Sequence, residues 1–248
     1  MIKTQGLSKR FGGLTALDAL HLDIPADACW GLFGPNGSGK STLLHCLSGY
    51  LEPDQGEIWI GGQNTRMLAP FALAKLGLIR GFQGTYLVDG LTVLEHVLLG
   101  QHQHIPSSFF PKLPFLSSDH PEKKARQKAL EWLDFLGIAD QANQLVQRLP
   151  YGMQRQVELA RLLAAEPKFL LLDEPGAGLN AEEREAFFEQ ITAARKSAGF
   201  GLLVIAHHFS LLSQMADHLV MLHQGKIVAS GPADSIVQEA VVREHYLL

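Results

Sequence analysis

The stretch GPNGSGKST, residues 34–42, has the residue types and the spacing of a phosphate-binding loop. It satisfies the pattern G-x-x-x-x-G-K-[ST], and it lies between an apolar run and a helix-compatible run, as that pattern requires. Its glycines let the backbone turn tightly and point N–H groups at an anion. The stretch predicts a site for nucleotide phosphates, and the alternative is a glycine-rich turn with a surface lysine.

The positions of this loop have separate expected roles. Backbone donors at the start of a helix would hold the phosphates, Lys40 would place a positive charge on the β- and γ-phosphates, and the Ser41 hydroxyl would bind Mg²⁺. The nucleotide-binding candidates are Gly34, Pro35, Asn36, Gly37, Ser38, Gly39, Lys40, Ser41 and Thr42.

Two adjacent carboxylates follow a second apolar run, residues 169–172. They are Asp173 and Glu174, and carboxylates directly after a buried strand are costly unless they meet cations or reactive groups. With a phosphate loop upstream, Asp173 is expected to bind Mg²⁺ and Glu174 to act as the general base on an attacking water. A plain turn at the end of a strand is the alternative.

Two further apolar runs each end in a polar side chain. Residues 78–82 are followed by Gln83, and residues 202–206 by His207. Open α/β sheets bind ligands at the carboxyl ends of their strands, so Gln83 is a candidate ligand of the metal or of water. To place these side chains together, the strands must alternate with helices in parallel βαβ crossovers, which predicts a doubly wound core.

The N-terminal segment predicts a different kind of sheet. Residues 2–24 alternate between apolar and polar side chains around two glycines, as expected for an antiparallel sheet edge. Phe11 lies beside those glycines. It is either a core residue or a platform on which a nucleotide base stacks.

Residues 84–165 are predominantly helical in pattern. Pro150 lies at an expected helix start with Gly152 in its first turn, where backbone amides could receive another phosphate. Tyr86, Leu87 and Val88 follow Gln83 closely, and they are expected either in a core or in a socket for a partner helix. Gln101–His104 is a poor metal-ligand set, and a solvated loop is expected there.

The composition suits one large α/β domain with a lobe: 248 residues, 46% hydrophobic, with a formal net charge of -4. This charge disfavours DNA or RNA as the main partner. Cys29 and Cys46 are expected to pack in a reducing compartment. The sequence contains no signal-peptide pattern and no apolar run long enough for a membrane span, so a cytosolic location is expected.

Together these motifs resemble the ATP-binding subunits of ABC transporters, over essentially the whole chain. The matching segments are FGG at Phe11, GPNGSGKST, GFQ at Gln83, LPYGMQ at residues 149–154, LLLDEP at residues 170–175, AGLN ending at Asn180, and His207. The blocks GLTVLEHVLLGQHQH and LPYGMQRQVELARLLAAEP look most like the LivG type, which serves importers of branched-chain amino acids.

The resemblance implies a fold and an activity. The expected fold is a P-loop NTPase core with a mostly parallel sheet, an N-terminal antiparallel β subdomain and an inserted helical subdomain. Residues 1–84 and 166–248 would form the core, and residues 85–165 the helical subdomain. The expected activity is ATP hydrolysis that drives transport, with ATP and Mg²⁺ bound and with Gln83 and His207 sensing the γ-phosphate.

The resemblance also implies partners. Two such subunits, identical or different, bind head to tail, with each ATP between one phosphate loop and the other signature segment. The signature candidates here are Leu149, Pro150, Tyr151, Gly152 and Met153. Transmembrane permease subunits, and indirectly a solute-binding protein, complete the assembly on the inner face of the cell membrane, and no nucleic acid is involved.

The chain departs from the family pattern at two places. The family signature is usually LSGGQ, and here Pro150 replaces the serine, Tyr151 a glycine and Met153 the glutamine, so the contact across the dimer would use backbone donors. The LivG type commonly has Glu-His-Asp at the switch histidine, whereas this chain has Ala206 and His208 around His207. Loss of those charges predicts local pH sensitivity.

Other functions stay open at this stage. The solute could be urea, an amide or another compound. A P-loop kinase is disfavoured because no arginine-rich lid follows the phosphate loop, and an acceptor screen would decide. A soluble cassette that remodels ribosomes or DNA-repair complexes lacks its usual basic patches and tandem cassettes here, and a pulldown from membrane fractions would discriminate.

Overall fold

The computed structural model describes residues 1–81, 84, 86–102, 121–236 and 242. Its strands are β1 (Ile2–Phe11), β2 (Leu14–Ile24), β3 (Cys29–Phe33), β4 (Gln55–Ile60), β5 (Gln63–Asn64), β6 (Leu78–Gly81), β7 (Phe169–Asp173), β8 (Gly201–Ile205), β9 (His218–His223) and β10 (Lys226–Pro232). Its helices are α1 (Lys40–Leu47), α2 (Pro70–Lys75), α3 (Val93–Leu99), α4 (Pro121–Phe135), α5 (Tyr151–Ala164), α6 (Ala181–Ala198), α7 (Phe209–Met215) and α8 (Ala233–Ile236).

The larger sheet has the strand order β10-β9-β3-β8-β7-β6 within the described residues. The pairs of β3 with β8 and β9, of β7 with β8, and of β6 with β7 are all parallel. Every residue of β7 and of β8 is buried, as expected for strands covered on both faces. The parallel core predicted from the alternating pattern is confirmed, and β3, β7 and β8 end at one edge of it.

The other sheet is antiparallel, with the order β2-β1-β4-β5 in the described part of the chain. β1 pairs with β2 through a turn at residues 12–13, and its other edge pairs with β4. Ile2, Leu7, Leu20 and Ile24 point into a core shared with α1 and the larger sheet. This confirms the antiparallel N-terminal sheet.

Two helices, α3 and α6, begin with capping boxes. α3 begins with a capping box, in which the Glu95 backbone N–H donates to Thr92 Oγ1 at 3.3 Å and the Thr92 N–H donates to the Glu95 carboxylate at 2.7 Å. α6 begins in the same way, with Asn180 accepting from the Glu183 N–H at 2.9 Å. Each box satisfies two backbone donors that a helix start leaves open.

α5 has an apolar side, but one of its buried side chains is charged. Glu158 is 3% exposed, pairs with Arg155 at 2.6 Å and lies 3.9 Å from Arg161. Burial raises the pKa of the Glu158 carboxyl to about 7, and the two arginines oppose that rise. α5 therefore contains a carboxyl that titrates near neutral pH.

The chain divides into two compact units. The first comprises Met1–Gln83, Lys168–Ala177 and Thr192–Leu248, and it holds both sheets. The second comprises Gly84–Pro167 and Gly178–Ile191, and it holds α3, α4 and α5. This second unit thus includes the start of α6, which the sequence analysis had grouped with the core. Among the described residues, no helix combines the length and the apolar character needed to cross a lipid bilayer.

Candidate active site

The phosphate loop connects β3 to α1 through three glycines with positive φ. Gly34, Gly37 and Gly39 have φ values of 144°, 76° and 107°. A Cβ on Gly34 would lie 2.0 Å from the carbonyl oxygen of Leu222, and one on Gly39 would lie 2.3 Å from that of Ala16, whereas one on Gly37 would meet nothing within 4 Å. The loop is therefore packed at both ends and open at Gly37, which leaves room for an anion above its backbone.

The side chain of Lys40 lies inside this loop. Its Nζ donates to the carbonyl oxygens of Gly34 at 2.8 Å and Pro35 at 2.9 Å, and the residue is 7% exposed. Burial lowers the pKa of Lys40, and the carboxylates of Glu174 and Asp173 oppose that shift. The ammonium is thus already held where a bound phosphate would meet it.

The other residues of the loop differ in exposure. Ser38 is 2% exposed, and its N–H donates to the Pro35 carbonyl at 3.2 Å. Asn36 and Ser41 are exposed, and Thr42 is half-buried in the first turn of α1. The Ser41 hydroxyl is accordingly accessible to a ligand from outside the chain.

Asp173 ends β7 with its carboxylate buried. One oxygen, Oδ2, lies 3.5 Å from Nη2 of Arg80, and the other, Oδ1, is buried with no hydrogen-bond partner among the described residues. Burial raises the pKa of Asp173, and Arg80 opposes the rise. A buried carboxylate oxygen without a protein partner is costly, and a metal-bound water or a cation would satisfy it.

Glu174 and His207 contact each other. Nε2 of His207 lies 2.7 Å from Oε1 of Glu174, and both side chains are partly exposed. Glu174 has a φ of 49°, and its N–H donates to the carbonyl oxygen of Ile205 at 2.9 Å. A left-handed backbone costs a residue with a side chain about 1–2 kcal/mol. The adjacent strand β8 holds this backbone in place, and the Glu174 carboxylate contacts His207, two residues beyond the end of β8.

Gln83 lies outside the described residues. Gln83 therefore stays a prediction as a metal or water ligand. The strand before it, β6, pairs in parallel with β7, with Gly81 opposite Leu172. β6 thus runs in the same direction as the strand that ends in Asp173.

Phe11 is 48% exposed at the end of β1, so the core interpretation is wrong. Nζ of Lys9 lies 5.8 Å from the centre of its ring, and Lys9 is held by Asp54 at 2.9 Å and by the Glu52 carbonyl at 2.8 Å. The lysine supports the ring by a cation–π contact. The base-stacking interpretation stays a prediction.

The signature segment belongs to the second unit and starts α5. Pro150 is the N-cap, and Nε2 of Gln154 donates to the Leu149 carbonyl at 2.9 Å. A Cβ on Gly178 would lie 2.8 Å from the ring of Tyr151, so the ring packs directly on that backbone. Gly152 and Met153 are half-buried in the first turn. The first N–H groups of a helix have no partner within the helix, and they form a donor set for an anion.

The donor types present fit Mg²⁺ bound together with nucleotide phosphates. Mg²⁺ usually takes one or two protein oxygens, with phosphates and waters completing its shell. Across the described residues, no group of three or more His, Cys, Asp or Glu could hold a metal alone. Such a phosphate-supported site uses one hydroxyl and one carboxylate oxygen, which Ser41 and Asp173 would supply.

Comparison with known proteins agrees with this geometry. The family model described as ABC transporter matches residues 17–177. The high-affinity branched-chain amino acid transport ATP-binding protein LivG of Escherichia coli is 34% identical over 248 residues, which cover 100% of this chain and 97% of LivG. The chain belongs to the ABC transporter family. BraF of Pseudomonas aeruginosa, with the same description, is 33% identical over 100% of this chain and 97% of BraF.

Other ABC transporter proteins widen the comparison. The phosphonates import ATP-binding protein PhnC 2 of a Synechococcus species is 34% identical over 99% of this chain and 90% of its own. The crystal structure of the ADP conformation of MJ1267, an ATP-binding cassette of an ABC transporter, has a TM-score of 0.85 and 27% identity, over 100% of this chain and 98% of that one. The dimeric structure of the cassette MJ0796 has a TM-score of 0.75 and 26% identity, over 94% of this chain and 99% of that one. The chain is an ABC transporter ATPase cassette by sequence and by fold.

The sequence analysis missed one charged residue of this site. Arg80 lies in the apolar run that ends near Gln83, and its guanidinium contacts Asp173 and donates to Ser48 Oγ at 2.8 Å. The signal was an arginine within a strand predicted to be buried, because such a charge needs a partner.

Proposed function

We propose that this ABC transporter subunit binds ATP with Mg²⁺, hydrolyses it in a dimer of cassettes, and thereby drives the import of a solute. The observation that carries the proposal is the contact between Glu174 and His207, 2.7 Å apart, in the unit that also holds the phosphate loop and Asp173. A candidate base with a second group that orients it is the arrangement expected for activating water.

The phosphate loop supplies binding. Its N–H groups receive the phosphates, and Lys40 holds their charge from inside the loop. Ser41, Asp173 and Gln83 are the residues that would hold Mg²⁺, which when bound neutralises charge on the phosphoryl oxygens. Phe11 would stack against the adenine.

Glu174 would accept a proton from the attacking water at its carboxylate. His207 orients that carboxylate through Oε1, and the backbone of Glu174 is fixed by its hydrogen bond to β8. The partner cassette would present its own Leu149–Met153 segment to the γ-phosphate, through the backbone N–H groups of its first helical turn. ATP would therefore be enclosed only when two cassettes meet.

Contact with transmembrane permease subunits would use the segment at residues 86–88. Tyr86 is 60% exposed and Val88 51% exposed, while Leu87 is half-buried. The backbone of this segment is fixed, because Arg161 donates to the Tyr86 carbonyl at 3.2 Å and the Val88 N–H donates to His96 at 3.0 Å. Exposed apolar side chains on a fixed backbone suit a docking surface. Through such a contact the subunit would lie on the inner face of the cell membrane.

The solute we propose is a branched-chain or other hydrophobic amino acid, delivered by a solute-binding protein. The support is the similarity to LivG and BraF over 97% of each of their lengths. The test is uptake into cells or vesicles that carry the complete transporter, with leucine, a phosphonate and urea as labelled solutes. Uptake of leucine alone supports the proposal, and uptake of a phosphonate or of urea alone refutes this solute.

The catalytic assignment is tested with Glu174→Gln and Lys40→Ala. Glu174→Gln should bind ATP, form a stable dimer in size-exclusion chromatography, and lose about 10²- to 10⁴-fold in hydrolysis, the usual contribution of a general base. Lys40→Ala should weaken ATP binding itself. Glu182→Gln, an exposed acid on α6, is the matched control and should hydrolyse normally. Hydrolysis by Glu174→Gln close to that of the wild type would remove Glu174 as the base.

A further inference from the structure

Arg80 carries a buried charge on β6, the last strand of the larger sheet within the described residues. It is the third residue of β6, between Ile79 and Gly81, and its side chain is 5% exposed. Burying a guanidinium costs several kcal/mol unless it is paired and hydrogen-bonded, so its position requires partners that use its charge.

Its partners lie on two different elements. Nη1 donates to Ser48 Oγ at 2.8 Å, and Nη2 lies 3.5 Å from Asp173 Oδ2, which is the distance of an ion pair. Ser48 caps the end of α1 and donates its own hydroxyl proton to the Leu44 carbonyl at 2.6 Å. The oxygen of Ser48 is therefore oriented to accept from Arg80. The planar guanidinium also lies 5.8 Å from the ring of Tyr50.

This arrangement connects the two elements of the proposed metal site. α1 begins at the phosphate loop and has Ser48 as its C-cap, and β7 ends at Asp173. The guanidinium holds the end of α1 with one nitrogen and the carboxylate with another. Because the five donors of arginine have a fixed planar geometry, this contact restricts the rotation of the carboxylate.

Arg80 contacts only one of the two carboxylate oxygens of Asp173, which favours a role beyond charge neutralisation. An arginine that only compensates a buried carboxylate is strongest when it binds both oxygens. Here Arg80 contacts Oδ2, and Oδ1 has no hydrogen-bond partner in the described part of the chain. One oxygen is held and the other is left for a ligand.

We propose that Arg80 is a positioning residue for the divalent cation: it fixes the carboxylate of Asp173 through Oδ2 so that Oδ1 is available to the metal's shell. The inference rests on the proposed function, because it assumes that Asp173 takes part in the metal site. Residues that orient a metal ligand typically contribute 10- to 100-fold in metal affinity.

The test measures metal binding directly. Mn²⁺ replaces Mg²⁺, and electron paramagnetic resonance measures the affinity of the ADP-bound subunit for Mn²⁺. The affinity of the subunit for ADP is measured separately in EDTA, where no divalent cation is available. Arg80→Gln should weaken Mn²⁺ about 10- to 100-fold and leave ADP affinity in EDTA unchanged. Arg80→Lys should be intermediate, because a lysine keeps the charge but loses the planar geometry.

The matched control is Arg195→Gln. Arg195 also pairs with an aspartate in the first unit, Asp217 at 3.0 Å, and it takes no part in the proposed site. It should keep wild-type Mn²⁺ affinity even where its melting temperature falls. If Arg80→Gln does not fold, Arg80→Lys decides the question in the same assay.

The two possible failures are distinct. In the first, the ADP-bound wild type binds Mn²⁺ and the Arg80→Gln variant binds it equally well. Arg80→Lys takes the place of Arg80→Gln if that variant does not fold. This result would show that the positioning role is wrong while the proposed function stands. If wild-type ADP binding does not depend on a divalent cation and Asp173→Ala does not change Mn²⁺ binding, the metal assignment itself is wrong, and Arg80 loses its role with it.

Discussion

Replacing Phe11 with alanine tests whether an exposed ring at the end of β1 is a platform for the nucleotide base. The ring is 48% exposed, and Lys9 is held near it by Asp54 and Glu52. If the adenine stacks on this ring, the substitution removes about 1–3 kcal/mol of binding free energy, the range for a base on an aromatic side chain. At about 1.4 kcal/mol per factor of ten, the Kd for ATP should rise about 5- to 140-fold.

The effect on stability should be small by comparison. A fully buried phenylalanine costs about 3–5 kcal/mol when it is truncated to alanine. Phe11 keeps roughly half of its surface in water, so we expect less than about 2 kcal/mol of lost unfolding free energy. Phe200, which is 1% exposed, is the matched control. Phe200→Ala should lose stability and keep the ATP affinity of the folded protein.

The assay compares two ligands by calorimetry. Stacking involves the base, so Phe11→Ala should lose affinity for ATP and keep wild-type affinity for inorganic triphosphate. Phe11→Trp should restore ATP binding, because every aromatic ring offers a stacking face. Normal ATP affinity in Phe11→Ala, or an equal loss for both ligands, would refute the reasoning.

Two further predictions concern the second unit. The raised pKa of Glu158, about 7, means that its contribution to stability is present at low pH and is lost as pH rises through 7. Unfolding in urea should therefore show wild-type stability falling relative to Glu158→Gln between pH 5 and 8, by a few kcal/mol at about 1.4 kcal/mol per pKa unit, and parallel pH profiles would contradict this. Tyr86→Glu should leave a folded, ATP-binding subunit that no longer co-purifies with permease subunits. Met67→Glu, at a residue 79% exposed in the first unit, should still co-purify; equal recovery of the two variants would exclude the segment as a socket. Leu87 is half-buried, so a charge at that position would disturb packing as well as docking.

Local patterns in the sequence predicted much of the fold. The apolar runs before Asp173 and His207 are strands of one parallel sheet, and Asn180 with Glu183, three residues apart, forms a capping box. These features depend on neighbouring residues, which a sequence displays directly. The two-residue turn between β9 and β10, with positive φ at Gln224 and Gly225, belongs to a hairpin for which no prediction was made.

What the sequence concealed depends on distant partners. Arg80 meets a carboxylate far along the chain, and no local pattern links the two positions. Phe11 is exposed because it is the last residue of β1, opposite Leu14 at the turn into β2, which composition alone does not reveal. Gln101 was expected in a solvated loop, yet it is 3% exposed and donates to the Ala125 carbonyl at 2.7 Å. A polar side chain is buried when a specific backbone acceptor is available, and that acceptor comes from tertiary structure.

The strand order of the larger sheet has a consequence for the protein during its synthesis. β3, which leads into the phosphate loop, pairs with β8 on one side and β9 on the other. On the ribosome, Cys29 emerges long before Leu202, its partner in the register. Strand pairs between distant segments close slowly, and apolar strands without partners are prone to aggregate. The nascent chain therefore carries its phosphate loop on an apolar strand that lacks both of its sheet neighbours until β8 and β9 emerge.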